Sequence, residues 1–230
     1  MRVRRAASDL SSGKFVLLHD SDGRENEVDM VMGAEFVQPG HVARMRLEAG
    51  GLICVALHPV IAKNIGVPYL ADVYATCSDR FEAFGVVTPD DIPYDEKSAF
   101  SISVNHRKTF TGITDEDRSL TIRELGRLGA KAMRGKCVEE LGKNFRSPGH
   151  VPLLRAADGL LDARRGHTEL SVFLAELAGI TPVVVLCEML DASTGRALSV
   201  ERARMYAEEH GLALVDGSEI VDEFRRRTVE

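Results

Sequence analysis

Short apolar runs recur along this chain at the length of buried strands. They are Phe15–His19, Val28–Met32, Leu52–Leu57, Ala99–Val104, Val151–Leu154, Pro182–Leu186 and Leu212–Val215. Helical patterns fall between several of them. The clearest spans His167 to Ala178, where Leu170, Phe173, Leu174, Leu177 and Ala178 make one apolar stripe and Gly179 supplies a stop. A second begins at Thr114, a natural N-cap. Asp115, Glu116 and Asp117 complement its dipole, and Leu120, Ile122, Leu125 and Leu128 supply its apolar positions. A third starts near Ser199 and ends at Gly211. The first half lacks a strict β-α-β alternation. The expected class is therefore α+β, a mixed α/β fold with a mixed sheet and helices packed in layers. No linker divides the chain, so residues 1–230 are expected to form one domain. Residues 130–147 read as the irregular or flexible stretch.

Composition narrows the field without naming a function. The 230 residues are 44% hydrophobic and 28% charged, ordinary for a globular protein. A net charge of -6 argues against nucleic acid as the main partner. The basic clusters Arg2-Val3-Arg4-Arg5 and Arg225-Arg226-Arg227 read as solvated termini. No apolar run approaches the roughly 18–20 residues needed to cross a bilayer, and no signal peptide opens the chain. Cys54, Cys77, Cys137 and Cys187 are scattered and form no C-x-x-C pair, which points to reduced thiols in a cytoplasm.

Chemistry concentrates at the start of the chain. D-S-D-G-R-E-N-E-V-D places Asp20, Asp22, Glu25, Glu27 and Asp29 within ten residues, offset only by Arg24. Carboxylates this dense repel unless something positive sits among them. A hard divalent cation with oxygen ligands is the natural candidate. A solvated acidic turn is the commonplace alternative. The run lies between two apolar strands and reads as a tight connection. Continued as a strand, it would put Glu25, Glu27 and Asp29 on one face.

Other candidates lie far along the chain. Arg164-Arg165-Gly166-His167-Thr168-Glu169 stands before the clearest helix. A helix N-terminus with arginine, glycine and a hydroxyl can cradle a phosphate; an ordinary cap formed by Thr168 is the competing reading. Neither a Walker loop nor a G-x-G-x-x-G fingerprint is present. His150 of Pro148-Gly149-His150 opens an expected strand, where an acid/base group is rigidly held. Glu188 closes another, where a buried carboxylate needs a partner. Thr111 and Thr114 flank Gly112 at a strand-to-helix turn and could add donors to the same phosphate. Cys54 reads as a small core residue.

Taken in order, D-S-D-G-R-E-N-E-V-D, G-G-L-I-C, T-G-I-T-D-E-D-R-S-L-T-I, R-S-P-G-H-V-P-L-L-R-A, R-R-G-H-T-E and L-C-E-M resemble the 3,4-dihydroxy-2-butanone 4-phosphate synthases of riboflavin biosynthesis over roughly residues 8–190. The resemblance implies a Mg²⁺ (or Mn²⁺) dependent lyase that converts ribulose 5-phosphate to formate and 3,4-dihydroxy-2-butanone 4-phosphate. It implies Glu25 and His167 as metal ligands. His150, Glu188, Glu27 and Asp20 are the implied catalytic candidates, with Asp22 and Cys54 as neighbours. Substrate contacts are expected from Arg24, Asp29, Thr111, Arg164, Arg165, Gly166, His167, Thr168 and Glu188. It also implies a cytoplasmic homodimer with sites at the subunit interface and no membrane or nucleic-acid partner. Ser21 and Gly23 interrupt an acidic loop that is more continuous in many members. No GTP cyclohydrolase II segment follows Glu230, so the stand-alone form is expected. Another Mg²⁺-dependent sugar-phosphate isomerase or aldolase would use the same groups without releasing formate; a regulatory phosphate-binding module would bind without turnover.

Overall fold

The structure is a computed structural model that describes residues 2–21, 23–95 and 97–229. Asp22 of the acidic run lies outside the described residues. In chain order the elements are α1 (Arg2–Ser11), β1 (Val16–His19), β2 (Val28–Gly33), α2 (Pro39–Arg44), β3 (Cys54–Leu57), α3 (Pro59–Ile65), α4 (Leu70–Cys77), α5 (Glu82–Val86) and β4 (Phe100–His106). There follow α6 (Asp115–Ala132), α7 (Val138–Asn144), β5 (Phe145–Arg155), α8 (His167–Leu177), β6 (Val183–Glu188), β7 (Leu190–Asp191), β8 (Arg196–Ala197), α9 (Val200–Glu209), β9 (Ala213–Asp216) and α10 (Gly217–Val229).

Seven strands form one mixed sheet in the order β4-β5-β3-β6-β2-β1-β9, and each of the seven apolar runs supplies one of them. Pairs β3/β5 and β1/β9 are parallel; the others are antiparallel. Side chains alternate across the strands, so two apolar cores form, one on each face. Leu17, Met30, Val55 and Val185 belong to the face that also buries Val42, Ile61, Leu125 and Ala203 of α2, α3, α6 and α9. Leu18, Val31, Ala56 and Leu186 belong to the other, with Leu10, Leu174 and Ile220 of α1, α8 and α10. The expected layered α+β class is the one observed.

Two helix starts are capped by a hydroxyl, at Thr114 as expected and at Ser199, where only the start was expected. The Thr114 hydroxyl accepts from the Asp117 N–H at 3.1 Å, and the Ser199 hydroxyl accepts from the Arg202 N–H at 3.3 Å. Gly179 and Gly211 take the left-handed conformation that ends α8 and α9. Two expectations need correction. Residues 138–144 are helical and β5 starts at Phe145, so 130–147 is not an irregular stretch; Leu141 and Phe145 pack on the core and hold it. The arginines of the Arg2–Arg5 cluster are exposed, as expected, but they stand on the first turn of α1, whose Val3, Ala6 and Leu10 are buried. β2 starts at Val28, so Glu25 and Glu27 precede it in a turn. Among the described residues no helix is long and apolar enough to cross a membrane.

Helix α6 lies so close to the sheet that a Cβ built on Gly129 would sit 2.4 Å from Val183 Cγ2 and 3.2 Å from Ile61 Cδ1. Alanine gains about 1 kcal/mol of helix propensity over glycine, but overpacking a tight core costs about 1–3 kcal/mol. Gly129→Ala should therefore lose up to about 2 kcal/mol net. Urea denaturation measures it; an unchanged or higher midpoint would show that the sheet yields freely here.

Candidate active site

The central antiparallel pair concentrates charge by register. In β2 and β6, Asp29 lies directly opposite Glu188, and Cys54 of β3 sits opposite Leu186. Asp29 and Glu188 share a face with Val31 and Leu186, two residues along each strand, which pack on the side carrying α8. They therefore project beneath that helix's first residue, His167. The acidic turn brings Glu25 and Glu27 to the same place. These residues, with Arg24, Arg164 and Thr168, line a cavity of about 310 Å³.

The convergence of Glu25 and Glu27 does not come from strand alternation. Asn26 between them has φ +53°, a left-handed turn that asparagine tolerates. Its Oδ1 lies 3.1 Å from His19 Nε2, and His19 Nδ1 lies 3.1 Å from Asp216 Oδ1. The turn is braced from below by Asp20, whose side chain is fully buried. Its two oxygens accept from the Glu25 and Glu27 N–H groups at 3.0 and 3.2 Å. Asp20 is thus engaged as a scaffold, a role its residue type alone did not reveal. His19, Asn26 and Asp216 were not singled out from sequence; the left-handed turn that makes them matter leaves no pattern in composition.

His167 is the electrostatic centre. Its Nδ1 is 3.2 Å from Glu25 Oε2, and its Nε2 is 3.2 Å from the Glu27 carbonyl and 3.7 Å from Asp29 Oδ1. Both ring nitrogens face acceptors, which calls for the doubly protonated ring. Burial opposes that charge, but Asp29, Glu25 and Asp20 outweigh it and hold the imidazole up at about 10. Burial pushes Asp29 up to about 8, despite His167, with Glu188 and Glu25 adding to the rise. Its Oδ1 receives no hydrogen bond. Burial likewise raises Glu27, helped by Glu25 and Glu188. Glu25 is the exception: burial alone would raise it, but the His167 hydrogen bond and nearby cations pull it below the ordinary range. Glu188 is fixed by the Leu52 N–H, which donates to its Oε2 at 2.7 Å. Gly51 permits this approach, since a Cβ there would lie 2.4 Å from the same oxygen. Burial first, then Glu188 and Asp29, drive the Cys54 thiol upward, so it stays an uncharged wall residue.

The cationic side of the pocket comes from Arg24 and Arg164. Arg164 Nη1 donates to the fully buried Glu169 carboxylate at 2.7 Å. Helix α8 is preceded by Gly166 at the N-cap with no side-chain cap, and while the Glu169 N–H is taken by its own carboxylate, those of His167 and Thr168 meet no side chain. Thr168 does not cap it, contrary to the commonplace reading. Arg165 turns away: its Nε donates to the Leu161 carbonyl, and it lines an adjoining cavity of about 950 Å³ rather than the acidic pocket. His150 and Thr111 are also elsewhere. His150 is exposed and lies inside β5, not at its start, with Nδ1 3.1 Å from Asn105 Nδ2; that amide also donates to the Thr111 carbonyl. The two residues sit together but do not line the acidic pocket. Asp20, Glu25 and His167 each offer a donor atom within 4.8 Å of the others, a set that could hold a metal ion.

Comparison with known proteins follows from this geometry. The sequence profile of the 3,4-dihydroxy-2-butanone 4-phosphate synthase family matches residues 4–223. The chain is 50% identical over 222 residues to the 3,4-dihydroxy-2-butanone 4-phosphate synthase of Methanothermobacter thermautotrophicus, covering 96% of this chain and 95% of that one. It is 53% identical over 220 residues to the synthase of Archaeoglobus fulgidus, covering 95% and 92%. Its fold matches a crystal structure of a 3,4-dihydroxy-2-butanone 4-phosphate synthase in complex with two magnesium ions, with a TM-score of 0.77, 28% identity, and 98% and 97% coverage.

The raised pKa values of His167 and Asp29 have one sign. Each group binds its proton more tightly when folded than when unfolded, so each stabilises the fold at low pH and loses that contribution as pH rises. For His167 the loss runs from its ordinary 6.5 to about 10; for Asp29 it runs from 3.8 to about 8. In EDTA, the melting temperature should fall steadily from pH 6.5 to 10, and His167→Gln should flatten the slope. A profile that is level, or equally steep in the variant, would contradict the ion-pair description.

Proposed function

The chain belongs to the 3,4-dihydroxy-2-butanone 4-phosphate synthase family, and on that footing we propose that its acidic pocket is where ribulose 5-phosphate is converted to formate and 3,4-dihydroxy-2-butanone 4-phosphate. The single observation that supports this placement is the gathering of Glu25, Glu27, Asp29, Glu188 and His167 around one cavity whose rim carries Arg24 and Arg164. The reading takes residues 1–230 as one synthase domain acting in a cytoplasm.

The pocket suits a divalent cation of the magnesium or manganese type. Its donors are hard carboxylate oxygens and one imidazole. It is short of positive charge: Asp29 Oδ1 receives no hydrogen bond, and His167, 3.7 Å away, also serves Glu25. Glu25 and His167 would hold the ion, with Asp20 setting the turn that presents Glu25. A bound divalent ion supplies Lewis-acid polarisation of sugar oxygens and a template for their orientation.

The chain's own groups do the rest. Arg164 and the unclaimed N–H groups at the start of α8, with Thr168 beside them, take the phosphate. That remote contact orients the sugar so that its carbonyl end lies among the carboxylates. Glu27, whose raised pKa makes it a readier proton acceptor, and Glu188, immobilised by the Leu52 N–H, are placed to move protons beside the carbonyl. Asp29 keeps its proton below about pH 8 and can donate to a developing oxyanion. Loss of one water and a skeletal shift follow, and the return of one water releases the terminal carbon as formate, so that the substrate equals the sum of its two products.

His150 and Thr111 enter from a second copy. They lie apart from the acidic pocket, beside exposed Phe110 and Ile113, while Leu52 is half-exposed at the pocket's own rim. Apolar side chains at both places are what a homodimer would cover. In that arrangement His150 of one subunit completes the pocket of the other.

Two outcomes test this reading. Ribulose 5-phosphate should yield formate and a four-carbon phosphate in equal amounts with Mg²⁺ and neither with excess EDTA. Glu25→Gln should cut the rate by at least about a hundredfold, the order expected when a metal-site group is lost; full activity would remove Glu25 from the site. Separately, inactive Glu25→Gln and His150→Ala chains, mixed and shown to exchange subunits, should recover activity. Absence of recovery would place His150 outside a shared site.

A further inference from the structure

Arg24 and Arg164 meet on one carboxylate that no reading of the site has used. Asp95 Oδ2 accepts from Arg24 Nη2 at 2.9 Å and from Arg164 Nε at 2.6 Å. Arg24 is held further by the neighbouring residue: its Nη1 donates to the Tyr94 carbonyl at 3.3 Å, and its guanidinium carbon lies 5.9 Å from the Tyr94 ring centroid. Charge-assisted bonds of this length are the strong kind. Burial alone would raise the Asp95 carboxyl, but the hydrogen bonds from Arg24 and Arg164 hold it below the ordinary carboxylate range.

The segment that carries Asp95 is otherwise weakly attached. Its helices α4 and α5 contain no buried residue, and Val86 and Val87 are exposed. Lys97 ties it to its own α4 through Asp72 at 2.7 Å. Arg24, Asp95 and Arg164 line both the acidic pocket and the adjoining larger cavity, so the ionic contact forms part of the wall between them. A carboxylate thus stands in the cradle that, on the proposed function, receives the sugar phosphate.

We propose that Asp95 is a specificity-determining residue, an internal anion that fills the two-arginine cradle and yields it only to a phosphate monoester. A carboxylate carries one negative charge and two oxygens. A phosphate monoester carries nearly two charges and three oxygens, so it gains more from the same guanidiniums. A neutral sugar or a small carboxylic acid gains too little to displace Asp95. The displacement lowers the apparent affinity for every anion by the fraction of molecules with the cradle free, and the loss excludes weak competitors.

The test is a calorimetric titration of the full-length protein with inorganic phosphate and, separately, with acetate. Asp95→Ala should bind phosphate roughly five- to tenfold more tightly than the unaltered protein, the gain from abolishing self-competition, and should bind acetate measurably. The KM for ribulose 5-phosphate should fall in parallel. Asp162→Asn, which removes one negative charge from the wall of the larger cavity, should leave phosphate affinity within about twofold, because Asp162 holds neither arginine. Unchanged or weaker phosphate binding in Asp95→Ala would overturn the proposal, leaving Asp95 as a support that positions the arginines. An equal gain in Asp162→Asn would overturn it by assigning the effect to overall charge. This inference rests on the proposed function but fails separately. No formate from the unaltered protein would defeat the enzymatic reading, whereas formate release with no phosphate gain in Asp95→Ala would defeat only the role of Asp95.

Discussion

Everything at the site depends on the pairing of His167 with the carboxylates around it. The antiparallel register of β2 and β6 puts Asp29 and Glu188 side by side, and like charges directly opposite in a sheet repel. The acidic turn adds Glu25 and Glu27 within the same cavity. One buried imidazole donates to Glu25 and faces Asp29 and the Glu27 carbonyl. It cannot neutralise four carboxylates, so Asp29 keeps a proton into the neutral range. The fold tolerates this because the charge deficit lies at strand ends and a helix start, where a cation and a substrate can reach it, and not in either apolar core.

The scaffold that maintains this concentration uses backbone more than side chains. Asp20 holds the turn by accepting from two N–H groups, Asn26 bends it through a left-handed residue, and Leu52 fixes Glu188 with its amide. Glycines make the approaches possible. Gly51 lies against Glu188, and Gly149 lies so close to β4 that a Cβ would come within 2.0 Å of the Val104 carbonyl carbon. Carboxylates positioned by rigid backbone need little reorganisation as charge shifts among them, the condition under which electrostatic stabilisation acts most strongly.

Much of the fold was legible in the sequence because its strands are buried on both faces and read as short continuous apolar runs. All seven sheet strands fell on such runs, and the cap at Thr114 and the helix start near Ser199 followed from residue type. Helices α4 and α5 were not anticipated, for they bury nothing and so leave no apolar stripe. Helix α1 was hidden because its buried Val3, Ala6 and Leu10 are small or widely spaced among arginines. At the site, the acidic run and G-H-T were conspicuous as residue types, whereas Asp95 was not. Its significance arises only because a chain excursion folds back some seventy residues in sequence onto Arg24 and Arg164, a long-range contact with no periodic signature.

The division of charge also constrains how a substrate can lie. Cations gather on one side, at Arg24 and Arg164; carboxyl groups gather on the other, at Glu25, Glu27, Asp29 and Glu188, of which Asp29 holds a proton. A sugar phosphate has a single strongly anionic end, and that end is repelled by the carboxylates and drawn to the guanidiniums. Its polyol and carbonyl end is thereby directed to the carboxylates whichever way the molecule first enters. Orientation is decided by electrostatics before close contacts form. Two carboxylates, Glu169 and Asp95, hold the Arg164 guanidinium on its own side and so keep this polarity from collapsing. The buried Glu169, which touches no cavity-lining carboxylate, therefore matters to the chemistry as an anchor that holds the two halves of the pocket apart.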